Sequence, residues 1–145
     1  EKYIGGEDFM LTYGDGVGDI DIKALIDHHK KSSRIATVTA VQLAARFGGM
    51  DLTDDGTVSS FREKAKDESK WINGGFFVLK PAVFNYLEGD MNDMMWEEEP
   101  LEKLTADGQL AAYRHNGFWK PMDALRDKIE LEQLWQSGKA TWKTW

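Results

Sequence analysis

Phe9-Met10-Leu11-Thr12-Tyr13 runs directly into Gly14-Asp15-Gly16. An apolar run that ends in a glycine-flanked carboxylate predicts a buried strand delivering Asp15 to the carboxyl edge of a sheet. In open α/β sheets that edge is where ligands bind. The flanking glycines permit a bulky anionic ligand to approach the backbone. A carboxylate beside a phosphate commonly shares a divalent cation with it. The same residues also read as an ordinary strand-to-helix turn, and the motif alone does not choose between the two.

On the C-terminal side, Asp21 has the chemistry of an N-cap, and Ile22, Leu25, Ile26 and His29 follow at helical spacing, predicting a helix over 22–31. Ile35-Ala36-Thr37-Val38-Thr39-Ala40-Val41 is β-branched and apolar, a buried strand. Together these give a β-α-β unit, with parallel pairing and a right-handed crossover. Asp55-Gly56 between alternating segments signals a hairpin. Residues 71–79 form another strand, whose Asn73-Gly74-Gly75 implies close backbone approach. Pro81 opens a short helix, 97–107 a second and 124–137 a third with Leu131, Leu134 and Trp135 on one face. A short strand, 110–114, leads into Gly117-Phe118-Trp119-Lys120-Pro121-Met122-Asp123. The expected fold is α/β: a mixed, mostly parallel Rossmann-like sheet with flanking helices and a β-hairpin excursion, as a single domain over 1–145.

Composition narrows the function classes. Hydrophobic and charged fractions of 41% and 30% are those of a globular domain. A net charge of −7 argues against a nucleic-acid partner held by a basic surface, while leaving room for a small phosphate ligand. The absence of cysteine excludes disulfides, thiolate metal sites and a cysteine nucleophile. No apolar stretch reaches membrane-spanning length, and a cytoplasmic location is expected.

Asp15 and Asp123 occupy comparable settings far apart in sequence, and two carboxylates from different elements can share one octahedral Mg²⁺ with phosphate oxygens and water. Glu63 suits sugar hydroxyls, Lys64 a phosphate, and Asn73 and Gly74 add an amide and a backbone contact. Adjacent His28-His29 point about 100° apart on a helix, so surface or helix-end positions are expected of them rather than a metal pair. Glu97-Glu98-Glu99 reads as a solvated helix start.

Taken in order, Tyr13-Gly14-Asp15-Gly16, Arg46-Phe47-Gly48, Phe61-Arg62-Glu63-Lys64, Ile72 to Leu79 and Phe118 to Asp123 resemble the sugar-phosphate nucleotidyltransferases, as does the terminal Trp142-Lys143-Thr144-Trp145. The resemblance implies in-line attack of a sugar 1-phosphate oxygen on the α-phosphorus of a nucleoside triphosphate, with pyrophosphate leaving. It implies that Asp15 and Asp123 hold Mg²⁺, that Lys64 holds the sugar phosphate, and that Gly48, Glu63, Asn73 and Gly74 grip the hexose. Positioning and electrostatics then supply the rate, without a protein nucleophile.

Two departures from the family pattern stand out. Ala65 replaces a proline after Glu63-Lys64. The family's Gly-Gly-x-Gly-Thr-Arg phosphate loop has no counterpart, since Gly5-Gly6 is followed by Glu7-Asp8. The chain is therefore expected to be the second half of the fold, with the nucleotide-binding half missing and nucleotide binding weak. Little activity is expected alone, and the open sheet edge at 9–13 predicts a homo-oligomer. Three functions stay open: a sugar-phosphate and metal-binding remnant, one half of a split enzyme, or a non-catalytic interaction protein.

Overall fold

A computed structural model describes residues 3–42, 49–62, 70–87 and 94–145. Strand β1 (Phe9–Thr12) is followed by β2 (Gly16–Gly18), helix α1 (Ile22–Ser32), β3 (Ala36–Val41), and a hairpin of β4 (Gly49–Leu52) and β5 (Val58–Arg62). Then come β6 (Ile72–Leu79), a 3₁₀ turn (Pro81–Tyr86), α2 (Glu99–Ala106), β7 (Leu110–His115), β8 (Trp119–Pro121) and α3 (Leu125–Gln136). The main sheet has the order β1-β6-β3-β7, and β2-β8 and β4-β5 form separate two-stranded ribbons.

Burial explains the strand order. β3 and β6 are largely buried on both faces, so they take the two central positions, although one face of β3 carries the buried hydroxyls of Thr37 and Thr39. β1 alternates half-buried with exposed residues and takes an edge, as does β7. The class is α/β with a mixed sheet, as expected. The local pairing differs from the β-α-β reading. β6 lies between β1 and β3, antiparallel to both, and the parallel ladder is β3 with β7. β1 and β3 still run in one direction, but the sequence reading had no means to anticipate a distant strand inserting between them.

The two faces of β6 hold the core. Phe77 and Leu79 pack with Ala36, Val83 and Leu104 on one side, joined by Phe9, Leu11 and Trp96. Val78 packs with Ile20 and Leu25 on the other, where Phe76, Tyr113 and Trp119 close around it. Asp21 caps α1 by accepting from the Ala24 amide at 2.9 Å. Gly56, Gly108 and Gly138 carry the positive φ that their turns need, closing the hairpin and ending α2 and α3.

One expectation about side chains holds in part and one fails. His29 lies in the last turn of α1, the helix end expected of it, but is fully buried, its Nδ1 2.8 Å from Thr37 Oγ1 on β3, because the α1 apolar face carries it against the sheet. Trp135 does not join Leu131 in the core; it is exposed, with Trp145 and Lys143 against its ring.

Candidate functional site

Two short strands that the sequence reading had taken as a turn and a helix junction build the site. β2 pairs antiparallel with β8 in three residue pairs: Gly16 with Pro121, Val17 with Lys120, and Gly18 with Trp119. One step beyond this ladder, the Asp15 carbonyl accepts the Met122 amide at 2.8 Å. Asp15 and Asp123 therefore sit on adjoining backbone at one end of the ribbon, and both residues are exposed. Lys120, paired with Val17 in the ribbon, is tied to α3 through Glu130 at 2.5 Å and Asp127 at 3.3 Å. Its hydrogen bond to Glu130 raises its pKa, so it stays charged and holds the start of α3 against β8.

Tyr13 and the Asn73-Gly74-Gly75 run form the adjoining wall. The Tyr13 amide donates to Gly75 O at 2.9 Å, extending β1 by one residue. Its hydroxyl accepts from Asn73 Nδ2 at 2.9 Å. Burial first, then the neighbouring Glu97 carboxylate, pushes the Tyr13 hydroxyl well above its ordinary value, so it stays protonated. Asn73 Oδ1 in turn accepts the Gly75 amide at 2.8 Å. Gly74 O accepts Trp119 Nε1 at 2.9 Å, which fastens the ribbon to the sheet.

The glycines of this run serve close approach, as expected, and what approaches is the protein itself. A Cβ on Gly75, at φ +76°, would lie 2.8 Å from the Tyr13 ring. One on Gly74 would lie 2.9 Å from Val41 Cγ1 and 3.0 Å from Thr39 O. Among the described residues, the Asn73 side chain makes no hydrogen bonds beyond those to Tyr13 and Gly75, which leaves one amide hydrogen and one acceptor lone pair unused. Gly48, Glu63 and Lys64 lie outside the described residues.

Glu97, Glu98 and Glu99 are exposed and lead into α2, as a solvated helix start should, but Glu97, in the turn before it, also acts on Tyr13. No sequence signal linked residues 84 positions apart. Nor did any sequence signal link His115 to Asp19, 3.1 Å from its Nε2.

Among the described residues, no three histidine, aspartate or glutamate side chains gather as a metal site. A Mg²⁺ ion needs only one or two protein carboxylates when substrate phosphates complete its shell. Asp15 and Asp123 carry hard oxygen donors of the kind Mg²⁺ takes, and the Asp15 O–Met122 N bond sets their backbones close together.

Residues 1–136 match the nucleotidyl transferase family, and the chain belongs to it. It is 53% identical over 139 residues to the glucose-1-phosphate cytidylyltransferase of Salmonella typhi, covering 96% of this chain and 53% of that protein. It is 45% identical to the Bacillus subtilis protein named "Probable glucose-1-phosphate cytidylyltransferase", over all of this chain and 56% of that one. The chain thus spans about half the length of the curated relatives it matches. HddC from Yersinia pseudotuberculosis shares the fold at a TM-score of 0.64 and 21% identity, over 92% of this chain and 58% of that one. No helix among the described residues is long and apolar enough to cross a membrane.

Proposed function

We propose that this chain supplies the sugar-phosphate and carboxylate side of a glucose-1-phosphate cytidylyltransferase site. The observation that carries the reading is the Asp15 O–Met122 N bond at 2.8 Å, which sets Asp15 and Asp123 on adjoining backbone. The 53% identity to the Salmonella typhi enzyme supports the cytidylyl branch.

In this reading Asp15 and Asp123 hold Mg²⁺, which when bound offsets charge on the reacting phosphates. Lys64 pairs with the phosphate of glucose 1-phosphate, leaving its oxygen free for in-line attack. Glu63 accepts from hexose hydroxyls, and Gly48, Asn73 and Gly74 complete the cradle. Trp119, pinned to Gly74, keeps the carboxylate ribbon at a fixed distance from the sugar wall, which converts encounter into orientation.

The 145 residues contain no Gly-Gly-x-Gly-Thr-Arg loop to supply backbone amides to a triphosphate. The chain as it stands is therefore expected to bind glucose 1-phosphate with Mg²⁺ and to turn over below about 1 s⁻¹ with CTP. Calorimetry with glucose 1-phosphate, and pyrophosphate release with CTP added, test this. Asp15→Asn and Asp123→Asn should each weaken Mg²⁺-dependent binding about tenfold or more, the scale of a lost charge-assisted contact. Equal binding by wild type and both variants would overturn the assignment. Full turnover only on adding a phosphate-loop chain would identify one half of a split enzyme.

A second reading rests on β1. It has β6 on one side and, among the described residues, no strand on the other. Such an edge is a template for pairing, and a second copy of this chain is the proposed occupant, as a homo-oligomer.

A further inference from the structure

At the end of the β2–β8 ribbon opposite Asp15 lies a group of contacts that the functional reading does not use. The Asp19 amide donates to Phe118 O at 3.1 Å, and Asp19 Oδ1 accepts the Phe118 amide at 2.7 Å. His115 Nε2 lies 3.1 Å from Asp19 Oδ1 and 3.1 Å from Phe118 O. Both neighbours of that nitrogen are acceptors, so Nε2 must carry the hydrogen and share it between them. The His115 side chain is 8% exposed and that of Asp19 26%, so water competes little for these bonds.

The turn has no room for another residue at its apex. A Cβ on Gly117 would stand 2.3 Å from Asp19 Oδ1 and 2.7 Å from His115 Cε1. Phe118 is further held by stacking on Trp142, with ring centroids 5.1 Å apart. The ribbon that this clamp closes is intrinsically weak: three residue pairs, two of the six residues glycine, and a proline that lacks an N–H. An isolated two-stranded ribbon is marginal in water. Its two ends must therefore be fixed from outside the ladder.

We propose that Asp19 and His115 are positioning residues, which clamp Phe118 and so hold Asp123 beside Asp15 through the length of the ribbon. This rests on the assignment of Asp15 and Asp123 to one Mg²⁺ site, but the clamp itself has a separate readout. The Met122 amide, bonded to Asp15 O, reports whether the two aspartate backbones stay together.

The test is amide hydrogen exchange of the full chain, with Val78 in the central sheet as an internal control, followed by Mg²⁺ titration monitored at the amides of residues 15 and 123. Asp19→Ala and His115→Ala should speed exchange at Met122 about tenfold, the equivalent of one lost buried hydrogen bond, and leave Val78 unchanged. Asp19→Asn keeps the acceptor, and His115→Gln keeps a donor at the same reach; both should restore wild-type exchange at Met122. Side-chain nitrogen shifts of His115 should show the hydrogen on Nε2. Mg²⁺ affinity should fall in the alanine variants and recover in the conservative ones. Unchanged Met122 exchange in both alanine variants would overturn the clamp, and so would equal acceleration at Val78, which signals general destabilisation. A wild-type chain whose 15 and 123 amides ignore Mg²⁺ would overturn the site reading instead, and the clamp would then stand or fall on Met122 alone.

Discussion

The four-stranded sheet and the β2–β8 ribbon lie side by side and are held by different forces. β3 and β6 bury both faces, and Phe77 sits fully enclosed between Ala36, Leu79, Val83 and Leu104. The ribbon buries no complete side chain of its own and is half-buried throughout. It is fixed by named polar contacts: Trp119 to Gly74, Lys120 to Glu130 and Asp127, and Asp19 to Phe118. Burial is non-directional and tolerates small shifts, whereas hydrogen bonds fix distance and angle. The scaffold therefore uses the first kind of interaction, and the ribbon, with Asp15 and Asp123 at one end, uses the second.

If that contrast is right, the largest single loss of stability comes from the sheet. Phe77→Ala should destabilise the chain by about 3–5 kcal/mol through lost burial and the cavity left behind. Chemical denaturation followed by tryptophan fluorescence checks this. A loss below about 1 kcal/mol, the level of an ordinary surface change, would mean that the sheet does not carry the fold.

The sheet also hides a titratable group. Burial lowers the pKa of His29, Lys80 and His28 lower it further, and only Asp8, 3.8 Å from Nε2, opposes them. The unfolded chain takes up this proton near the model-peptide value of 6.5, and the folded chain resists it. Stability from this residue is therefore complete above pH 6.5 and falls as pH drops through and below that value. The slope reaches at most about 1.4 kcal/mol per pH unit for one proton. Denaturation curves at successive pH values should show the fall in the wild type and a flatter profile in His29→Gln. Identical profiles would remove His29 from the account.

The ribbon should respond more mildly and more locally. Trp119→Phe keeps the ring and removes the bond to Gly74 O, which should cost about 1 kcal/mol in global stability. Its larger effect should fall on the glucose 1-phosphate affinity, because Trp119 links the carboxylate ribbon to the sugar wall. A variant that loses stability but binds as well as wild type would show that the ribbon needs no such anchor.

The same division decides what could be read from the sequence. Elements defined by burial announce themselves through composition: the β-branched run at β3, the apolar run at β6, and the α1 face behind its Asp21 cap all fall where periodicity predicts. The class of fold follows from them. The strands of the ribbon do not announce themselves, because Gly16-Val17-Gly18 and Trp119-Lys120-Pro121 have neither alternation nor length. Their pairing depends on contacts about a hundred positions apart. The insertion of β6 between β1 and β3 is invisible for the same reason. Motif resemblance named Asp15 and Asp123 together, and their backbones adjoin through the Asp15 O–Met122 N bond, a long-range pairing that the motif does not itself reveal. The partners Glu97, Asp19 and His115 had no such signal.

The smallest expected effect on stability tests where the scaffold ends. β1 is an edge strand whose Met10 is 42% exposed, and charge on an edge strand opposes pairing with another chain. Met10→Lys removes no buried contact, so its effect on denaturation should stay within about 0.5 kcal/mol. Its effect on assembly should be large: light scattering is expected to show the wild-type chain as an oligomer and the variant shifted to monomer. A wild-type monomer at working concentration would overturn self-association through β1. An oligomer insensitive to Met10→Lys would move the contact to another surface and leave the β1 edge free. The outcome matters for the ribbon as well, because Tyr13 continues β1 directly into the wall beside Asp15. Whatever pairs with that edge is placed within a few residues of the carboxylates.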